Sequence, residues 1–241
     1  MRYAIFSDIH GNLEALNAVL KDLQGQQIDD YFCCGDIVGY GADPSKCIQR
    51  IQEIKAANVA GNHDWAVAQK SQSTRLNAFA RESILWTIGM ISDEEKKFLS
   101  ESNLVLKNDD FVLVHGTLNN PEMFHYLLSL FHVQLTFSLL DRLVCFVGHS
   151  HVQEVFVEKE DTVDRIDSYS IDLDPECRYL VNVGSVGQPR DRHPDAAYCV
   201  YDTKEKTIEL KRVSYDIKKA QDKIIAAGLP EVLASRLFLG L

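Results

Sequence analysis

Cationic side chains are scarce in this sequence: 25 Lys and Arg stand against 35 Asp and Glu, a formal net charge of −10 at pH 7. Gripping many backbone phosphates requires a basic face, so no extensive nucleic-acid surface is expected. A small phosphorylated substrate stays compatible, because bound metal ions can supply local positive charge. Long apolar runs are missing too. None approaches the length of a bilayer span, and the opening Met1-Arg2-Tyr3-Ala4-Ile5-Phe6-Ser7-Asp8 meets acid too early for a signal peptide. The expectation is a cytoplasmic protein with no membrane attachment. The cysteines Cys33, Cys34, Cys47, Cys145, Cys177 and Cys199 contain no C-x-x-C pair. Cys33, Cys34, Cys145 and Cys199 sit in apolar runs, so they read as buried reduced thiols rather than a soft-metal site. No repeat, low-complexity tract or obvious linker interrupts the chain, and one domain over 1–241 is favoured.

What is present is an α/β alternation. Arg2 to Ser7 reads as a buried strand, and Leu13, Leu16, Val19, Leu20 and Leu23 then recur at helical spacing. Asp30 to Cys34 is a second strand, Pro44 to Ile54 a helix, and Asn58 to Ala60 a brief third strand, with parallel pairing expected here. A helical stretch over about 64–103 follows and is a candidate cap over a site, although each of its aromatics taken singly reads as core packing. Strands are expected at Phe111 to His115, Leu143 to Gly148, Val152 to Glu158, Tyr179 to Val183, Ala197 to Tyr201 and Thr207 to Val213. A helix over Glu122 to Leu140 separates the first two. Hairpin-like spacing predicts antiparallel pairing in this half. The tail from Asp216 is helical, broken at Gly228-Leu229-Pro230.

Five polar blocks each fall just past an expected strand: Asp8-Ile9-His10, Gly35-Asp36, Gly61-Asn62-His63-Asp64, His115-Gly116 and Gly148-His149-Ser150-His151. Strand ends converge at one edge of a sheet, where α/β folds place their sites, and the adjacent glycines allow sharp turns and close backbone approach. Asp, His and Asn are suitable ligands for divalent metals such as Mn, Fe, Zn or Ni, and a carboxylate such as Asp36 can bridge two ions. One histidine beside a glycine is ordinary in a turn; five such blocks in order are not.

Taken together, Asp8-x-His10, Gly35-Asp36, Gly61-Asn62-His63-Asp64, His115 and Gly148-His149-x-His151 resemble the signature of the calcineurin-like metallophosphoesterases. The stretch Val181-Asn182-Val183-Gly184-Ser185-Val186-Gly187-Gln188-Pro189-Arg190 is similar to a segment of their small bacterial and archaeal members. The resemblance implies a four-layer α/β/β/α sandwich of two mixed β-sheets flanked by helices. It implies two divalent ions, manganese first, with iron, zinc, nickel or magnesium as alternatives. Asp8, His10, Asp36 and His151 would hold one ion and Asp36, Asn62, His115 and His149 the other, leaving His63 beside the scissile phosphate as the catalytic group. The implied reaction is hydrolysis of a phosphodiester or phosphomonoester by a hydroxide bridging the two ions. The alternatives are a non-catalytic metal-binding scaffold of the same fold and a phosphodiesterase directed at small nucleotides or nucleic acid. All of the proposed ligands being of compatible type argues against the scaffold.

Two departures carry information. Gly39 and Tyr40 stand where the phosphoprotein phosphatases of this fold carry Asp and Arg, and Asp64 stands where they carry Glu, which argues against that activity and against a diadenosine-tetraphosphate hydrolase using the same pair. Asp64 is expected to cap the following helix rather than to orient His63. For Arg190 and Arg192 a contact to substrate phosphate is weighed against surface arginines on a turn, and the surface reading is preferred. His125 and His132 read as packing or rim residues of the helix before Leu143, and His193 as loop; none is assigned a role.

Overall fold

The computed structural model describes residues 1–69, 76–160 and 162–241. The chain begins β1 (Arg2–Phe6), α1 (Leu13–Asp22), β2 (Asp30–Cys33), α2 (Pro44–Glu53), β3 (Ala57–Asn58) and α3 (Asn62–Val67). It continues α4 (Ala78–Met90), α5 (Asp93–Glu101), β4 (Val105–Lys107), β5 (Phe111–Val114), α6 (Leu130–Leu139), β6 (Val144–Val147), β7 (Gln153–Lys159) and β8 (Thr162–Ile166). It closes with β9 (Ser170–Asp172), β10 (Arg178–Val183), β11 (Ala196–Asp202), β12 (Thr207–Val213), α7 (Ile217–Ala226) and α8 (Glu231–Leu239).

The strands form two six-stranded mixed sheets, ordered β3-β2-β1-β11-β12-β9 and β4-β5-β6-β10-β7-β8. Side chains alternate across each strand, and the alternation builds the layers. From β1, Tyr3 and Ile5 point into a core shared with Phe111, Phe146 and Val181 of the second sheet, while Ala4 and Phe6 pack outward with Leu16, Val19, Ile48 and Ile51 of α1 and α2. The outer face of the second sheet (Val112, Val114, Cys145, Val147, Leu180) is covered by Val133 and Phe137 of α6. The order is therefore helices, sheet, sheet, helix. Between the sheets, Tyr3, Phe32, Phe111 and Phe146 meet edge to face, with ring centroids 4.9–5.5 Å apart. Each such pair adds roughly 0.5–1.5 kcal/mol beyond area burial, and together they fix how the sheets face one another.

Three strands of each sheet run parallel: β1, β2 and β3 in one, β5, β6 and β10 in the other. The second trio corrects the antiparallel expectation for that half. The α6 crossover lets β6 lie parallel to β5, and the β7–β9 excursion does the same for β10. Antiparallel pairing there is left to β4, β7 and β8, and in the other sheet to β9, β11 and β12. All six cysteines are free and buried, as their apolar settings required.

The helical expectations need adjustment. The stretch over 64–103 is divided into α3, α4 and α5, with residues 70–75 outside those described. Ile84 and Leu99 pack into the cluster that holds α1 and α2. The helix expected from Glu122 begins only at Leu130, N-capped by Ser129. A single 3-10 turn, Pro121–Met123, precedes it, flanked by Asn120 and Phe124 in the left-handed region, which ends helical propagation.

Candidate metal and phosphoryl site

The C-terminal ends of the six parallel strands meet where the two sheets come together; five of them are each followed by one of the polar blocks, and β10 by the Gly184–Arg190 loop. Hydrogen bonds between the blocks tie them into one frame. Asp8 and His10 donate backbone N–H groups to Gly35 O and Asp36 O, both at 3.0 Å, Gly148 N–H donates to His115 O at 2.9 Å, and Arg190 N–H donates to His151 O at 3.1 Å. From the loop after β10, Ser185 Oγ donates to Asp8 O at 2.8 Å, and near the end of β10 itself Asn182 Nδ2 donates to Gly148 O and Ser150 Oγ at 3.0 and 2.7 Å. Asp8, His10, Asp36, His149 and His151 all have positive φ, between 49° and 68°. Asp and His tolerate this region better than most residues, yet each such position is disfavoured by about 1 kcal/mol or more. Backbone strain concentrated in one set of polar residues marks a site the fold is built to present.

All seven residues expected as ligands arrive here, buried apart from the partly accessible Asn62. Ligand atoms of Asp8, His10 and His151 lie within 4.8 Å of one another, as do those of Asp36, His115 and His149. Asn62 Oδ1 lies 3.2 Å from His115 Nε2. His63 is also close: with His10 and Asp36 it forms a third such group, so distance alone does not separate it from the ligands.

The hydrogen bonds show what the cluster is prepared to bind. A carbonyl only accepts, so the ring nitrogen facing it carries a proton. His10 Nδ1 donates to Val38 O at 3.0 Å, His151 Nδ1 to Gln188 O at 2.5 Å and His115 Nδ1 to Cys34 O at 2.7 Å. In the neutral rings each Nε2 is then a lone pair, oriented as metal-binding imidazoles are. Those lone pairs face other acceptors: His10 Nε2 lies 3.1 Å from His151 Nε2, His151 Nε2 lies 3.2 Å from Asp8 Oδ1, and His115 Nε2 lies 3.4 Å from Asp36 Oδ2. Asp8 Oδ1 is buried with no hydrogen-bond donor. Acceptors packed against acceptors fit cations between them. The mix of imidazole, carboxylate and amide oxygen suits a borderline divalent metal.

Between these groups a proton takes a cation's place whenever no metal is bound, and a ring that carries one releases it when a metal binds. Burial works to raise the Asp8 and Asp36 carboxyls, but the positive charge of His151 beside Asp8 and of His115 beside Asp36 outweighs it and holds both well below the usual range. Burial works to lower His115, yet the Asp36 charge pushes it up to about 9. His10 and His149 are driven well below the ordinary value by burial, keeping both rings free to coordinate.

Asp64 does help cap α3, as expected, but from its third position and with a larger second role. Gly61 caps α3 and Asp64 is its third residue. Its Oδ2 accepts from Asp36 N–H and Gly61 N–H at 2.8 and 3.1 Å, and its Oδ1 from Ile37 N–H and Val38 N–H at 2.9 and 3.2 Å. It thus locks the loop that bears Asp36. His63 N–H donates to Asp36 Oδ1 at 2.8 Å, while its buried Nδ1 has no partner. The ring packs on Tyr40, with centroids 4.5 Å apart, and against Gly39. A Cβ at position 39, whose φ is +91°, would overlap His63 Nδ1, so glycine there is a packing requirement. Burial lowers His63 to about 4.

Two nearby side chains, Tyr126 and Arg236, had no sequence signal, and a third, Arg190, was read as a surface residue. Tyr126 stacks on His149 with centroids 3.8 Å apart, and Arg236 of α8 lies over the Tyr40 ring at 4.6 Å. Arg190, expected on the surface, is half-buried, lies over the same ring at 5.8 Å and hydrogen-bonds Gln188 Oε1 at 3.0 Å. Arg192 is exposed, as expected. His125 and His132 are not on one helix; their rings stack on each other at 5.6 Å. His193 is exposed beside Asp195.

Known proteins share this arrangement. A protein of Methanocaldococcus jannaschii, the uncharacterized protein MJ0912, is 44% identical over 241 residues, covering 98% of this chain and 97% of its own. The crystal structure of a metallophosphoesterase from Sphaerobacter thermophilus superposes with a TM-score of 0.87 at 34% identity, covering 100% of both chains. That of the hypothetical protein PH1004 from Pyrococcus horikoshii OT3 superposes with a TM-score of 0.81 at 19% identity over 100% of this chain and 98% of the other, a likeness of fold. Residues 1–206 match the family model for the calcineurin-like phosphoesterase superfamily domain, and with the fold, the buried Asp/His clusters and these relatives in agreement, the chain belongs to the calcineurin-like phosphoesterase superfamily.

Proposed function

We propose that the protein is a dinuclear metal-dependent hydrolase that cleaves a phosphodiester or phosphomonoester bond in a small phosphorylated substrate. The observation that carries this is the set of Nε2 lone pairs held face to face with one another and with carboxylate oxygens. Asp8, His10, Asp36 and His151 would hold one ion and Asp36, Asn62, His115 and His149 the second, with manganese the first candidate for this donor set. When bound, the ions supply a water acidic enough to lose a proton at neutral pH and neutralise charge on the phosphoryl oxygens.

The chain's own groups do the rest. His63, kept neutral by burial, offers a ring N–H to a phosphoryl or leaving-group oxygen. With Gly39 in front of its Nδ1, no carboxylate hydrogen-bonds the ring there, and burial outweighs the pull of Asp36. Asp64 holds the Asp36 loop, and His149 N–H, donating to Asp8 Oδ2 at 2.9 Å, fixes the carboxylate between the two strand-end loops. The acidic balance of the chain supports a small substrate in the cytoplasm over nucleic acid. Among the described residues no helix is long and apolar enough to cross a membrane.

The test is metal add-back. Stripped protein receives Mn, Mg, Ni, Fe or Zn and is assayed on bis-p-nitrophenyl phosphate and p-nitrophenyl phosphate beside His149→Ala. Metal-dependent turnover in the wild type that the variant lacks is the expected outcome, and the diester-to-monoester ratio assigns the bond class. Failure of every metal on both compounds would overturn the proposal.

A further inference from the structure

Next to the acceptor cluster lies a pair of guanidinium groups without a counter-charge. Arg190 enters from the loop after β10 and Arg236 from α8, and Tyr40 joins them: their guanidinium carbons lie 5.8 and 4.6 Å from the centroid of its ring. Among the described residues neither guanidinium is ion-paired with a carboxylate, and three of their buried nitrogens, Arg190 Nε and Arg236 Nε and NH2, have no hydrogen-bond acceptor. Arg190 NH2 reaches neutral oxygens, Gln188 Oε1 at 3.0 Å and Tyr40 OH at 3.4 Å. Burial, helped by the neighbouring Arg190 charge, pushes Arg236 down to about 10.

A buried charge without a counter-charge is unfavourable, and two like charges side by side more so. The Tyr40 face offsets part of this, but it cannot accept from N–H groups that point along the guanidinium plane. Position supplies the rest. The Arg190 charge is felt at His10, His63 and His151, and Tyr40 contacts both His10 and His63. The pair therefore flanks the phosphoryl position on the His10–His63 side.

We infer that Arg190 and Arg236 form an oxyanion subsite for a second anionic group of the substrate, adjacent to the phosphoryl group that is cleaved. This rests on the hydrolase proposal and narrows it. The substrate class is a compound with two neighbouring anionic groups, and the planar fork of arginine fits either a phosphate or a carboxylate as the second. The C-terminal helix α8 is then part of the binding site as well as of the fold.

Calorimetric titration of the metal-stripped protein at low ionic strength tests this, with pyrophosphate and malonate as probes on wild type, Arg190→Gln, Arg236→Gln and the exposed control Arg192→Gln. Wild type and the control should bind at least one probe, and each of the other two variants should weaken it by about tenfold or more. Pyrophosphate alone would identify the second group as phosphate, malonate alone as carboxylate. Arg236→Lys, which keeps the charge and loses the fork, should fall between, and it serves if Arg236→Gln is shown by circular dichroism to be unfolded. Absence of binding by wild type, or equal binding by all the variants, overturns the inference. Metal content of the same samples after dialysis against Mn judges the dinuclear proposal separately.

Discussion

The acceptor cluster around Asp36 and the guanidinium pair over Tyr40 lie side by side, and each is built from what the other lacks. In the first, imidazole lone pairs face carboxylates with no donor between them. In the second, three buried guanidinium nitrogens have no acceptor and neither guanidinium has a carboxylate partner among the described residues. A third cluster shows how the chain treats charges that serve structure alone. Lys223 of α7 bonds Glu14 of α1 at 2.7 Å and Asp43, at the start of α2, at 2.6 Å, and Lys46 completes it at 2.8 Å from Asp43. Where charge holds helices together, it is matched within the protein. Where it is left unmatched in opposite senses side by side, the ligand we propose carries both a cation-binding and a guanidinium-binding part, as a metal-associated phosphate compound does.

The most damaging change to this pattern is removal of the shared carboxylate. Asp36→Ala should abolish binding of both ions and lower turnover by about two orders of magnitude or more, read by steady-state assay beside metal analysis. Asp64→Ala leaves four backbone N–H groups of the Asp36 loop and Gly61 without their acceptor. It should cost roughly 2–4 kcal/mol in urea unfolding and weaken metal affinity as well. Gly39→Ala meets both a φ of +91° and the His63 ring. We expect about 1–3 kcal/mol of destabilisation and reduced turnover, with metal content unchanged, since it moves His63 and not the ligands.

The smallest effect belongs to the matched cluster. Burial works to raise Asp43, but hydrogen bonds from Lys223 and Lys46 outweigh it and hold its carboxyl below the ordinary carboxylate value. A depressed carboxylate pKa stabilises the fold at pH values above the unfolded pKa, and that contribution disappears as pH falls through the folded one. Stability should drop below about pH 4, and Asp43→Asn should remove under about 1 kcal/mol of that dependence, measured as urea midpoints across the acid range. An equal acid sensitivity in the variant would remove the cluster from the comparison.

The acceptor half of the pattern was legible in the sequence because each of its blocks is short and sits directly after a strand. Asp8-x-His10 and His149-x-His151 carry their own spacing, and the strands announce themselves by apolar runs. The donor half was not. Arg190 and Arg236 are separated by β11, β12 and α7, and only the docking of α7–α8 beside Tyr40 joins them. A lone arginine in an amphipathic helix looks like any solvated residue. Asp64 was read only as a cap because Asp near a helix start is an ordinary one, and only the fold brings the Asp36–Val38 backbone within its reach. The parallel placement of β10 was hidden for a related reason: strand direction depends on crossovers, which hairpin-like spacing does not record. The short strands β4, β8 and β9 lie at or near sheet edges, where half-buried sequence has little apolar alternation to show.

Equilibrium dialysis of the stripped protein against Mn, with ions counted per chain in wild type and His149→Ala, is the most direct check on the acceptor cluster. Two retained ions in the wild type and fewer in the variant are predicted, because His149 belongs to one ligand set and not to the other. No more than one ion in the wild type, or equal retention in both proteins, would contradict a dinuclear centre at the strand ends.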